Sequence, residues 1–141
     1  MANETGPDYG EAINLVSPGG QLAADMSGPM VTGVRAVVMR VLARLTMSRG
    51  TLFYASSVGE NVLDLENATN DDTSFSARAS RCAAEAEREK PGVSFARCRI
   101  TRSASDAQKI IVSLQLGILS RTVGVNLFVV PGQTTVAITG A

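Results

Sequence analysis

From Lys109 to Leu119 apolar side chains fall on every second residue. Ile110, Val112, Leu114, Leu116 and Ile118 share one parity, and Ser113, Gln115 and Gly117 hold the other. Successive side chains of an extended chain point to opposite faces, so this pattern makes a strand with one face in a core and the other outside it. A helix would scatter the same residues around its circumference. The neighbouring segments extend the constraint. Val93–Ser103 alternates as well, with Ala96, Cys98 and Ile100 opposing Phe95, Arg97, Arg99 and Thr101. Thr122–Val130 is nearly all apolar, as expected of a central strand, and should be covered on both faces or paired on its open side. Pro131 and Gly132 then turn the chain into a last short strand, Thr134–Thr139. Consecutive strands joined by turn residues make an antiparallel meander.

A sheet apolar on one face needs a cover, and two helical patterns precede it. Val34, Val37, Val38, Val41, Leu42 and Leu45 form one stripe at helical spacing, predicting a helix over Val34–Met47 with Thr32 or Gly33 at its start and Gly50 beyond its end. Asp71, Asp72, Thr73 and Ser74 supply N-cap candidates for a second helix over Phe75–Glu89, ended by Pro91 and Gly92. Its apolar positions, Phe75, Ala79, Cys82, Ala83 and Ala86, are mostly small, so this helix can approach a sheet closely. The predicted fold class is therefore α+β, an antiparallel meander packed against two main helices. Residues 33–141 form that single domain. Residues 1–32, rich in Gly and Pro, form an extended N-terminal arm with short strands around Ala12–Val16 and Gln21–Ala24.

The chain has 141 residues, enough for one core without staples. With 4% aromatics and no Trp, that core must be aliphatic. Thirteen basic and thirteen acidic residues cancel, which gives no overall attraction to nucleic acid or to an anionic membrane. The charge is nevertheless in blocks. Residues 33–50 carry Arg35, Arg40, Arg44 and Arg49 and no acid, whereas 51–74 carry Glu60, Asp64, Glu66, Asp71 and Asp72 and no base. Such blocks are either solvated faces or docking surfaces. No apolar stretch approaches the length of a membrane span. The Met-Ala-Asn-Glu start lacks the basic and apolar regions of a signal peptide. Cys82 and Cys98 are too few for a disulfide framework or a zinc knuckle and read as buried thiols.

Chemistry is sparse. The absence of His removes the commonest general base and metal ligand, and no phosphate loop, dinucleotide glycine pattern or nucleophile elbow is present. Asp71 and Asp72, or Glu87 and Glu89, could serve as acid and base or bind Mg²⁺, but a helix cap and a solvated helix end account for them better. No catalytic residue, cofactor, metal or small-molecule substrate is expected, and the chain is not expected to be an enzyme.

The run Arg44-Leu45-Thr46-Met47-Ser48-Arg49-Gly50-Thr51-Leu52-Phe53-Tyr54, followed by Gly59-Glu60-Asn61-Val62-Leu63, resembles the gene-25-like small wedge subunits of contractile-tail baseplates. Those proteins open with an apolar helix, an Arg-Leu-Thr-x-x-Arg-Gly type of turn and an aromatic segment leading to a Gly and an acidic stretch. A second helix then ends near a Glu-Pro-Arg motif, and a meander closes the chain. The order of elements matches from about residue 12 to residue 130, and Asp8-Tyr9-Gly10 with Asp25 is similar to the family's arm. One segment departs from the pattern. Glu89 and Pro91 stand for the Glu and Pro of that motif, but Lys90 intervenes and Gly92 replaces the Arg.

The resemblance implies a structural subunit in a phage tail baseplate or a related injection particle, made in the host cytoplasm and carried in the virion. Its partners would be other wedge proteins and the tail sheath, whose first ring it would help to attach. Candidate interaction residues are Arg44 and Arg49, of which Arg49 can bind a carboxylate bidentately at the turn, together with Glu89 and Pro91. Val136, in the short β-branched last strand, marks an edge that a sheath strand could join. A different tail adaptor with the same plan, or a small enzyme with an unrecognised site, are the competing readings.

Overall fold

The computed structural model describes residues 10–25, 30–46, 72–89, 92–106, 108–130 and 133–140. The fold is α+β. Among the described residues, two helices, α1 (Gly33–Thr46) and α2 (Asp72–Glu87), accompany a four-stranded antiparallel sheet whose spatial order follows the chain. Short strands β1 (Glu11–Ala12), β2 (Asn14–Val16), β3 (Leu22–Asp25) and β4 (Val31–Thr32) precede α1. The sheet itself is β5 (Val93–Arg102), β6 (Ile110–Ile118), β7 (Arg121–Val130) and β8 (Gln133–Thr139).

The alternation works as expected. Leu114 lies between Cys98 and Val125 in register, and Leu127 pairs with Val112 on one side and Val136 on the other. The even residues of β6 and the odd residues of β7 from Val123 to Val129 are buried on one face. Each such side chain contributes about 1.5–3 kcal/mol of burial. The same core takes in Val37, Val38, Val41, Leu42 and Leu45 of α1 and Phe75, Cys82 and Ala86 of α2. β7 is paired along both edges, and its outward residues Gly124, Asn126, Phe128 and Val130 are half-buried. Its apolar run is thus accommodated by pairing on both sides.

Helix α1 begins at Gly33, whose φ of 67° suits a residue without Cβ and sets the chain into the first turn. Gly92, after α2, lies against Val37: a Cβ there would come within 2.8 Å of Val37 Cγ2. The small residues of α2 allow a close approach to β5. Along that edge Glu87 Oε2 accepts the Ala96 N–H at 3.1 Å, occupying an outward-pointing strand donor.

The described part of residues 1–32 is held against the domain. β1 pairs with β4 and β2 with β3, both antiparallel, and Ala12 and Val16 enter the core. The chain between β2 and β3 turns at Gly20, with φ 85°, where Gly20 N–H donates to Ser17 O at 2.9 Å. Gly20 O then accepts the Val136 N–H at 2.7 Å, and Gln21 bridges Thr135. The arm therefore occupies part of the outer edge of β8.

Candidate functional site

The basic flank of α1 and the C-terminal end of α2 carry the same spacing. Arg40 and Arg44 are four residues apart, as are Glu85 and Glu89. Residues so spaced share a helix face, and here the two faces meet. Arg40 Nε lies 2.6 Å from Glu89 Oε1, and Arg44 Nε lies 2.8 Å from Glu89 Oε2. Arg44 Nη1 also reaches Glu85 Oε1 at 3.4 Å, and Arg88 Nη1 lies 3.3 Å from the other Glu85 oxygen. Three guanidinium groups and two carboxylates thus alternate in a chain of contacts from one helix to the other.

Burial decides how much this matters. The Glu85 side chain is 4% exposed and that of Glu89 14%, against 54% for Arg88. An exposed pair contributes under about 1 kcal/mol, but a buried carboxylate deprived of its partner is strongly destabilising. The two glutamates also stand at the C-terminal end of α2, where the helix dipole disfavours negative charge. No basic residue of the last turn of α2 offsets this. Arg40 and Arg44 do so from α1, and Arg88, just past the helix, does so at Glu85. Glu89 is accordingly a bridging carboxylate and not the solvated helix end expected from sequence, and Glu87 is bound to the β5 backbone.

The path out of α2 holds Glu89 in place. Arg88 N–H donates to Glu85 O and Glu89 N–H to Ala86 O, which tightens the last turn, and Val93 N–H returns to Glu89 O at 2.8 Å. The arm also reaches this cluster: a Cβ at Gly10 would lie 3.9 Å from Arg40 Nη1.

Of the sequence-selected residues, Arg44 and Glu89 are brought into direct contact. Val136 lies on β8, at the opposite edge of the sheet from β5, and is 7% exposed. Its N–H is bound to Gly20 of the same chain, so it is not a free donor for a partner strand. Arg49 and Pro91 lie outside the described residues, as do the turn and aromatic segment that follow Thr46. Arg40, Glu85 and Arg88 complete the cluster, and the four-residue spacing of like charges on each helix was the sequence signal for Arg40 and Glu85.

The two cysteines meet across α2 and β5. Both are free thiols, and a hydrogen bond with Cys82, followed by burial, pushes the Cys98 thiol far up from its ordinary value. No group of three or more His, Cys, Asp or Glu able to hold a metal ion occurs among the described residues, and no described helix is long and apolar enough to cross a membrane. The cluster of arginines and glutamates can fix one helix against the other and, through Glu89 and Val93, fix both against the sheet. No protein-family model, curated protein or solved structure matches the chain.

Proposed function

We propose that the chain is a structural wedge subunit in the baseplate of a contractile injection machine, where it links other wedge proteins to the first ring of the tail sheath. The observation that carries this reading is the Arg44–Glu89 contact. Arg44 opens the Arg-Leu-Thr run and Glu89 stands for the Glu of the Glu-Pro-Arg motif, the two segments that resemble the gene-25-like family. Their 2.8 Å contact makes them two halves of one structural joint. The order of helix, helix and four-stranded meander supports the same reading.

In this role the chain acts by holding partners and not by catalysis. The joint keeps the helix pair and the sheet at a fixed angle, so that load applied at one is passed to the other. A sheath strand would pair with β8 beyond Val136, over Ala137–Thr139, because residues 20 and 21 already engage the preceding part. Deleting the gene in the phage or bacterium that encodes it tests the proposal by negative-stain microscopy. The expected result is incomplete tails without attached sheath, restored by the parent gene on a plasmid. Normal sheathed tails in the deletion strain contradict it.

A further inference from the structure

The outer face of the sheet carries a second feature that the helix joint does not explain. Arg97 and Arg99 point outward from β5, both exposed, directly across from Gln115 and Ser113 of β6. These side chains, with Cys98, line a shallow depression of about 250 Å³. Two guanidinium groups, an amide and a hydroxyl stand around it as hydrogen-bond donors. None of the ion pairs of the cluster on α1 and α2 involves Arg97 or Arg99. From Val93 to Thr139 the sequence holds a single carboxylate side chain, Asp106. It lies in the loop between β5 and β6, accepting the Gln108 N–H.

One of the arginines is held in position. The Phe95 ring packs against Gly117, where a Cβ would come within 2.3 Å of two ring carbons, and the Arg97 guanidinium sits 5.5 Å from the ring centroid. Phe95 is 37% exposed, so this platform of Gly117, Phe95 and Arg97 faces outward. A cation stacked on an aromatic ring is oriented before any ligand arrives, which lowers the ordering cost of binding.

We infer that this face binds an extended acidic segment of a partner protein, through carboxylates placed on alternate residues. Arg97 and Arg99 are two residues apart on one strand, and alternate side chains of an extended chain repeat at about 7 Å. A partner segment with Glu or Asp at every second position presents carboxylates at the same repeat, each able to form charge-assisted bonds with a guanidinium. The segment lies across the face and not along the edge of β5, because Glu87 already takes the Ala96 N–H there. A protein partner fits better than nucleic acid, since the chain as a whole carries no net charge. The inference extends the assembly role and rests on it for the class of partner, but the gene-deletion phenotype and peptide binding can fail separately.

The test is fluorescence anisotropy of a labelled peptide alternating Glu and Thr, titrated with the full-length chain. The expected result is saturable binding that weakens when salt rises from about 50 to about 300 mM. It should fall at least about tenfold in the Arg97→Gln, Arg99→Gln double variant. Arg121→Gln, at the turn between β6 and β7, should change the affinity less than about twofold. Circular dichroism of the double variant should match that of the parent. Three results would overturn the inference. They are absence of peptide binding, binding insensitive to the double substitution, and tighter binding of single-stranded oligodeoxythymidylate through the same two arginines.

Discussion

Leu114 and Gln115 are neighbours on β6, yet they belong to different environments. Leu114 is 1% exposed and sits among Cys98, Val125 and the helices, whereas Gln115 faces outward beside Arg97. The same division runs along the sheet. The inner face is aliphatic and covered. The outer face carries Arg97, Arg99, Ser113 and Asn126, with Phe95 and Phe128 among them, and no described element covers it. The difference separates two tasks within one set of strands. The parity turned inward builds the domain, and the parity turned outward is the one on which the acidic segment is proposed to bind.

Truncating the inner parity should have the largest effect. Leu114→Ala is expected to lose about 2–5 kcal/mol in urea unfolding, while Gln115→Ala should stay within about 0.5 kcal/mol of the parent. Equal losses would break the two-face account. The joint between the helices comes next. Arg44→Ala removes the residue shared by Glu85 and Glu89 and should cost about 1–3 kcal/mol, discounted for the partial exposure of Arg44. Arg44→Lys should recover only part of this, because a single ammonium cannot reproduce the guanidinium fork. An unchanged urea midpoint for Arg44→Ala would reduce the cluster to a surface pair.

Gly117 sharpens the comparison, since it is an outward residue that is nevertheless packed. Gly117→Ala must displace the Phe95 ring and should cost about 1 kcal/mol. Phe95→Ala in the same chain should remove most of that penalty, and a double-mutant cycle by thermal unfolding measures the coupling. At neutral pH the smallest effect belongs to Cys98. Its thiol is pushed up, so folding favours the protonated form. Its stabilising contribution is complete below the ordinary value of 9.0 and is lost as pH climbs above it. Unfolding measured from about pH 8 to about pH 11 should therefore show a steeper alkaline decline in the parent than in Cys98→Ser.

Periodicity made the central architecture legible. The stripe from Val34 to Leu45 and the alternation from Ile110 to Ile118 each specify an element because the repeated burial of one face leaves little choice. The arm was less legible. Strands of two to four residues carry no usable period, so neither the break at Ile13 nor the pairing of β1 with β4 could be read from the residues. The use of Val136 was hidden for another reason: a backbone bond to Gly20 leaves no side-chain signature. In the joint, both four-residue charge spacings were visible, but spacing alone does not tell which helix faces meet. That information is tertiary, and it made Glu89 a bridge between two arginines in place of a solvated helix end.

The assembly role is tested most directly by locating the chain in an intact particle. Contractile tails purified from the encoding phage or bacterium, imaged by electron cryomicroscopy, should show density for the two helices and the β5–β8 sheet at the junction of the wedge and the first sheath ring. The Arg44–Glu89 joint should be intact there, and an acidic strand of a neighbour should lie across Arg97 and Arg99. A complete baseplate and sheath in which every density is accounted for by other chains would contradict the account.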